Sequence, residues 1–176
     1  LQAYRKLLLR LLAAAIGQAA IRRDPLAMLP FIGYHMADYW GHWLKMGARK
    51  DLKLPRIFRV NWFRKDENGK FAWPGYGQNM RVLKWVVDRV HGRAGAVDSP
   101  FGKMPRYEDL NWKGLAFDKA AYGRITDIAK TDAQAEVTGV KEWFAKFGEH
   151  LPKALAGELE KLGQRVAAQP ETWSAT

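Results

Sequence analysis

The chain has 176 residues, 48% of them hydrophobic and 27% charged, with eight tryptophans, which excludes wholesale disorder and fits one domain with a real core. Basic residues outnumber acidic ones by 29 to 18, a net charge of +11, so anionic partners such as nucleotides, nucleic acid or acidic lipids are favoured. Cysteine is absent, which removes disulfide frameworks, thiolate metal sites and cysteine nucleophiles and fits a reducing compartment. The charge is uneven. Residues 1–64 hold twelve Lys/Arg against three acids, a balance of +9, and the rest of the chain holds +2.

Leu1 is not a start methionine, so the chain reads as processed or as a piece of something longer. Its first segment, LQAYRKLLLRLLAAAIGQAA, is acid-free, and three readings fit it: a secretory signal interrupted by Arg10, an amphipathic presequence or surface helix, or an ordinary helix. No stretch reaches the roughly 18 apolar residues of a membrane span. Pro25 and Pro30 mark a turn and a short extended segment into Gly33. Tyr39, Trp43 and Met46 then recur at helical spacing, predicting an amphipathic helix over 36–46 that stops near Gly47.

Residues 56–64, RIFRVNWFR, are rich in β-branched and aromatic side chains and predict a strand. Asn68-Gly69 follows as a hairpin turn, with a returning strand over 70–73. The loop WPGYGQN leads into a helix whose stripe is Val82, Leu83, Val86, Val87 and Val90, ending at Gly92. Residues 92–117 read as irregular chain. Two helices are predicted over 135–151 and 152–168, with Pro152 at a helix start, and a loose tail from Gln169. One hairpin seldom supports a sheet alone, so the class is α/β, with helices around a hairpin that should join a larger mixed sheet.

The residues that carry chemistry cluster at the hairpin and its exit: Phe63, Phe71, Tyr76 between two glycines, and Asn79. A planar purine fits between such rings, each stacking contact contributing about 1–3 kcal/mol, while an amide or exposed backbone groups read its edge. The glycines flanking Tyr76, Gly75 and Gly77, let main chain approach a ligand. Cross-strand packing of the aromatics, with Asn79 as the N-cap of the following helix, is the competing reading.

The segments RRDPLAMLPFIGY, DYWGHWLKMG and LPRIFRVNWFRKDENGKFAWPGYGQNMRVLKWVVDRV resemble the C-terminal part of GTP-dependent phosphoenolpyruvate carboxykinases. The likeness covers residues 13–165, is strongest at 22–46 and 54–90, and thins to SPFG, DLNWKGL and HLPK beyond. It divides the chain into an unmatched segment (1–12), the C-terminal part of the family's nucleotide-binding domain (13–168) and a flexible tail (169–176). It implies a cytoplasmic, monomeric enzyme of gluconeogenesis that converts oxaloacetate and GTP to phosphoenolpyruvate, carbon dioxide and GDP with manganese or magnesium. It implies that guanine lies between Phe63, Phe71 and Tyr76, and that Tyr76, Gly77, Gln78 and Asn79 contact the base, with Asn79 as the polar reader. Tyr76 stands where the family usually has Phe, Gln78 where it has Glu, His35 where it has Asn and Ala37 where it has Gly. The family's phosphate loop, metal ligands, reactive cysteine and most oxaloacetate contacts precede the matched region. No catalytic residue and no metal ligand is therefore expected in this chain, which should be inactive alone. A lid over the substrate would end near Ala13 to Gln18, which makes Gln18, Arg22 and Arg23 candidates for substrate proximity.

His35, Asp38 and His42 fall at i, i+3 and i+7, on one helical face, as metal ligands or as the polar edge of a packed helix. His91 and His150 lie near predicted helix ends, where a cation suits the dipole. No Walker-type loop, Ser/His/Asp arrangement or zinc-finger spacing occurs. The rival reading is a basic, aromatic-bearing module for nucleic acid or anionic membrane without enzyme activity. The resemblance implies no specific nucleic-acid partner and no transmembrane segment.

Overall fold

A computed structural model describes residues 23–24 and 28–176. The N-terminal segment and the candidates Gln18 and Arg22 lie outside the described residues. A short 3-10 turn at Leu29–Phe31 leads into helix α1, Met36–Gly47. The helix begins at His35, whose side chain accepts a hydrogen bond from the Ala37 backbone N–H, and it buries Met36, Ala37 and Trp40. The amphipathic spacing thus sets this helix as expected.

Residues 53–61 form no regular element and pair with no strand, a departure from the predicted strand at 56–64. A strand needs a hydrogen-bonding neighbour as well as β-forming residues, and none flanks this stretch among the described residues. It lies instead along helix α2, Asn79–Val90: Arg56 donates to the Arg89 carbonyl at 3.0 Å and Phe58 meets Trp85 edge-on at 6.0 Å. The Asn68-Gly69 turn forms, with Gly69 at φ 73° and Asp66 exchanging backbone bonds with Lys70 and Gly69. The returning strand is cut to one bridge, Lys65 to Phe71, with Ala72 N–H donating to Arg64 C=O beside it.

The stretch 92–117 is more ordered than its composition implies. Strands β1 (Val97–Ser99) and β2 (Gly102–Met104) form an antiparallel hairpin, and a 3-10 turn follows at Tyr107–Asp109. Helix α3, Lys119–Thr126, is capped by Asp118, whose carboxylate accepts from the Ala121 N–H. Strand β3 (Ile128–Ala129) leads into α4 (Lys130–Ala145), and α5 (Lys153–Ala168) packs beside α4. Pro152 sits at the N-cap of α5, close to its expected place. The tail expected to be loose from Gln169 is packed. Thr172–Trp173 forms β4 against β3, and Gln169 and Ala175 are buried. Docking Trp173 and Ala175 removes apolar surface from water, which holds even a short terminal strand.

Two apolar clusters organise the chain. One gathers Trp85, Leu110, Phe117, Tyr122 and Ala175, with Phe58, Trp112 and Trp173 against it. Trp112 stacks on both Tyr107 and Phe117, and the Tyr122 hydroxyl donates to Pro105 C=O at 2.7 Å. Burial, with Asp109 and Glu108 nearby, pushes the Tyr122 phenol well above its usual range. The other cluster holds Met36, Ala37 and Trp40 of α1 against Trp143, Phe144 and Phe147.

Candidate functional site

The hairpin and its exit loop carry an exposed aromatic surface. Phe63 and Phe71 are brought together across the hairpin with ring centroids 6.0 Å apart at 63°, and both stay open to solvent, 71% and 55% exposed. An edge-on pair is a favoured aromatic geometry, and it leaves π-faces free. The Lys65 ammonium lies 5.6 Å from the Phe71 ring centre, adding a cation beside the pair. Tyr76 is 91% exposed and meets no other ring among the described residues. The structure therefore joins two of the three expected rings and carries the third on the neighbouring turn.

That turn is built on glycine and tryptophan. Gly75 adopts φ 109°, a conformation that L side chains resist, and it opens a 3-10 turn over Tyr76–Gln78. Trp73, 6% exposed, anchors the loop in the core, edge-on to Phe117 at 6.1 Å. Its indole N–H donates to Asn79 Oδ1 at 2.8 Å, closing the loop across its neck. Because an indole N–H is only a donor, this bond fixes which end of the amide is the oxygen. The Nδ2 end of the amide is not engaged by the indole. Asn79 consequently does not cap α2 with its side chain, as the packing reading expected. It is the helix's first residue, and Gln78 precedes it without a side-chain cap bond.

Two arginines brace the hairpin and its exit loop. Arg81 donates from Nε to Gln78 Oε1 at 2.7 Å and through its other nitrogens to the carbonyls of Asn111 and Lys113. Arg64 donates to the carbonyls of Ile125 and Asp127, both at 3.1 Å, pinning the hairpin stem to the end of α3. Gln78 is thus held by Arg81, while Gly77 has open space at its α-carbon and would admit close approach of a ligand to the main chain. Trp73, Arg64 and Arg81 escaped the sequence reading. The signal for Trp73 was an aromatic set directly before Pro-Gly, while the bonds by which the arginines reach backbone carbonyls span 30 or more positions and left no local signature.

Arg23, a candidate for substrate proximity, lies elsewhere. Its guanidinium pairs with both oxygens of Glu136 at 3.1 and 3.3 Å and passes over Gly139 on α4. It borders a cavity of about 670 Å³ with Asp132, Glu142, Trp143 and Lys146. The face expected to carry His35, Asp38 and His42 is divided: His42 lies against Tyr39, and His150 takes its place beside the other two. His91 follows the last turn of α2 and donates its backbone N–H to Val87 C=O. Among the described residues no helix is long and apolar enough to cross a membrane.

The chain is a mixed helix–strand unit with two small antiparallel sheets and an exposed aromatic hairpin bonded to a helix start, and comparison with known proteins supplies its family. Residues 9–165 match the family described as phosphoenolpyruvate carboxykinase C-terminal P-loop domain, and the chain belongs to this family. It is 46% identical over 157 residues to a phosphoenolpyruvate carboxykinase (GTP) of Arthrobacter sp. (strain FB24), covering 88% of this chain and 26% of that protein. The proteins of the same name from Neocallimastix frontalis and Anaeromyxobacter dehalogenans are 48% and 49% identical, with 88% and 89% of this chain and 25% and 26% of theirs covered. The chain spans about a quarter of the length of the curated relatives it matches. The fold class read from sequence stands.

Proposed function

We propose that this chain is the guanine-binding portion of a phosphoenolpyruvate carboxykinase (GTP). The complete enzyme would act in the cytoplasm at the entry to gluconeogenesis, converting oxaloacetate and GTP to phosphoenolpyruvate, carbon dioxide and GDP. The observation that carries this reading is the Trp73–Asn79 bond beside the exposed rings of Phe63, Phe71 and Tyr76. With Oδ1 engaged by the indole, Asn79 offers a donor. A donor complements the O6 acceptor of guanine and opposes the amino group that adenine carries at the same position, N7 being an acceptor in both. Stacking on exposed rings supplies affinity without base preference, and the oriented amide supplies the preference.

Phosphoryl transfer is mostly positioning and charge stabilisation by metal and basic groups around the phosphates. This sequence holds no Walker-type loop, and at the hairpin Asp66 is turned into its own turn, accepting from the Asn68 and Lys70 N–H groups. Manganese or magnesium, which need several oxygen ligands, find no such set there. Among the described residues the hairpin does not fit the family's metal, and the chain alone is expected to bind nucleotide without turning it over. Gln18, Arg22 and Arg23 are proposed as lid-proximal in the complete enzyme only, with Arg23 held by Glu136 until such a lid forms.

The test is nucleotide binding by the 176-residue chain, followed by calorimetry, with a decarboxylation assay beside it. GDP is expected to bind more tightly than ADP, F63A, F71A and Y76A each to weaken GDP by roughly 5- to 150-fold, and turnover with GTP and manganese to be absent. Equal affinity for the two nucleotides, or affinity unchanged in all three variants, rejects the reading.

A further inference from the structure

We propose that His35, Asp38 and His150 form a binding site for a divalent transition-metal ion of the zinc type. One ligand atom from each of the three lies within 4.8 Å of the others. Asp38 Oδ1 and His150 Nδ1 are 3.3 Å apart. Two ligands at about 2.0–2.1 Å from a tetrahedral zinc ion are separated by about 3.3–3.4 Å, so this pair already stands at the edge of a coordination tetrahedron. Two imidazoles and one carboxylate are a borderline donor set, which suits Zn²⁺, Co²⁺ or Ni²⁺ better than the oxygen-seeking Mg²⁺ or Ca²⁺. Asp38 and His150 are roughly half exposed, so an ion reaches them from solvent.

His35 completes the set by a small movement. Its ring stacks on His150 with centroids 4.1 Å apart and planes 23° from parallel, so the lone pairs of the two rings lie in separate, nearly parallel planes. The His35 ring must turn to aim at an ion seated on the other two ligands. Its Nδ1 accepts from the Ala37 N–H at 3.2 Å, a bond that places the ring proton of a neutral imidazole on Nε2. Ligation through Nδ1 exchanges this capping bond for a metal bond and leaves the Nε2 proton in place. His35 and Asp38 sit at the start of α1, whereas His150 belongs to the 3-10 turn at Gly148–His150 between α4 and α5. The ion therefore links two parts of the chain 112 residues apart, and its binding stabilises the fold. Three protein ligands leave a fourth position for water.

The experiment is a Co²⁺ titration of the 176-residue chain, followed by visible absorbance, with Zn²⁺ competition and thermal unfolding. One ion per chain is expected, with the intense visible bands of four-coordinate cobalt, displaced by Zn²⁺. D38N, H150Q and H35N are each expected to weaken binding by about 10–100-fold or more, since even residues outside the ligand shell cost that much. H42Q, altering the histidine set against Tyr39, is expected to change nothing. Asparagine is itself a strong N-cap, so H35N keeps α1 intact, which circular dichroism checks. Zn²⁺ at a concentration that just saturates the wild-type chain is expected to raise its unfolding temperature and to raise those of H35N and H150Q markedly less. No saturable binding, a six-coordinate spectrum, or equal binding by wild type and all three ligand variants overturns the site and leaves Asp38–His150 an ordinary surface pair.

Discussion

Substituting Asn79 by Asp separates stability from base selectivity at one atom. In the structure Asn79 Oδ1 accepts from Trp73 Nε1 at 2.8 Å, and Trp73 is almost wholly buried. Aspartate keeps an acceptor there, and a carboxylate on the first residue of α2 interacts favourably with the helix dipole by about 0.3–1 kcal/mol. N79D is therefore expected to unfold within about 1 kcal/mol of the wild-type chain. N79A instead leaves the indole N–H unpaired and is expected to lose about 1–3 kcal/mol. The nucleotide effect has the opposite ranking. N79D replaces the free donor by an acceptor facing guanine O6, a mismatch of about 1–3 kcal/mol, or roughly 5- to 150-fold in GDP affinity. Adenine, which presents an amino donor, should bind N79D no worse than wild type. Calorimetric titration of GDP and ADP against both variants, alongside urea unfolding, reads every term. An N79D chain that keeps wild-type preference for GDP refutes the role given to the oriented amide, whatever its stability.

Other outcomes follow from the same geometry. Gln169 is buried, and its side-chain Nε2 and Oε1 have no hydrogen-bond partner among the described residues, so Q169L is expected to be neutral or to stabilise by up to about 1–3 kcal/mol in urea unfolding. Removing residues 169–176 deletes β4 and the docked Trp173 and Ala175, and it should lower the unfolding midpoint and expose dye-binding apolar surface, whereas a loose tail would leave both unchanged. R64A loses two bonds to the Ile125 and Asp127 carbonyls and is expected to cost about 1–3 kcal/mol and loosen the hairpin, seen as faster amide exchange at Lys65 and Phe71. Raising salt should weaken GDP binding far less than a polynucleotide competitor's, because counterion release scales with phosphates contacted; a steep salt slope for GDP would favour the rival basic-module reading.

What the sequence made legible follows from how local each determinant is. Helix α1 was readable because Trp40 and its neighbours recur on one face, and the Asn68-Gly69 turn because its positive φ is a property of those residues. The strand at 56–64 was not, since Ile57 and Val60 carry a β pattern whose hydrogen bonds need a neighbouring strand. Ile57 is accordingly 90% exposed. Between 92 and 117 the order comes from tertiary aromatics, Tyr107 and Trp112 stacking and Tyr122 reaching Pro105, and no short-range periodicity announces it. Helix α4 begins at Lys130, five residues before its apolar stripe, because its first turn is polar and its start is set by β3 pairing with β4.

The candidate site shows the same division more sharply. Phe63, Phe71, Tyr76 and Asn79 were visible as residue types suited to a planar base, but the types alone left open whether Asn79 served a ligand or a helix end. Its use as a cap is removed by Trp73, six residues away and buried against Phe117, which takes Oδ1 instead. By donating to Oδ1, an apolar core residue removes one face of the amide from use and turns the other into a donor of fixed identity. On the function proposed above, selectivity is set from inside the core and affinity by the exposed rings. The two should separate under mutation: substitutions of the rings scale GDP and ADP together, and W73F, which frees the amide to rotate, narrows the ratio between them while leaving all three stacking rings in the chain. A W73F chain that loses both affinities in equal proportion would show instead that the indole serves only to hold the loop.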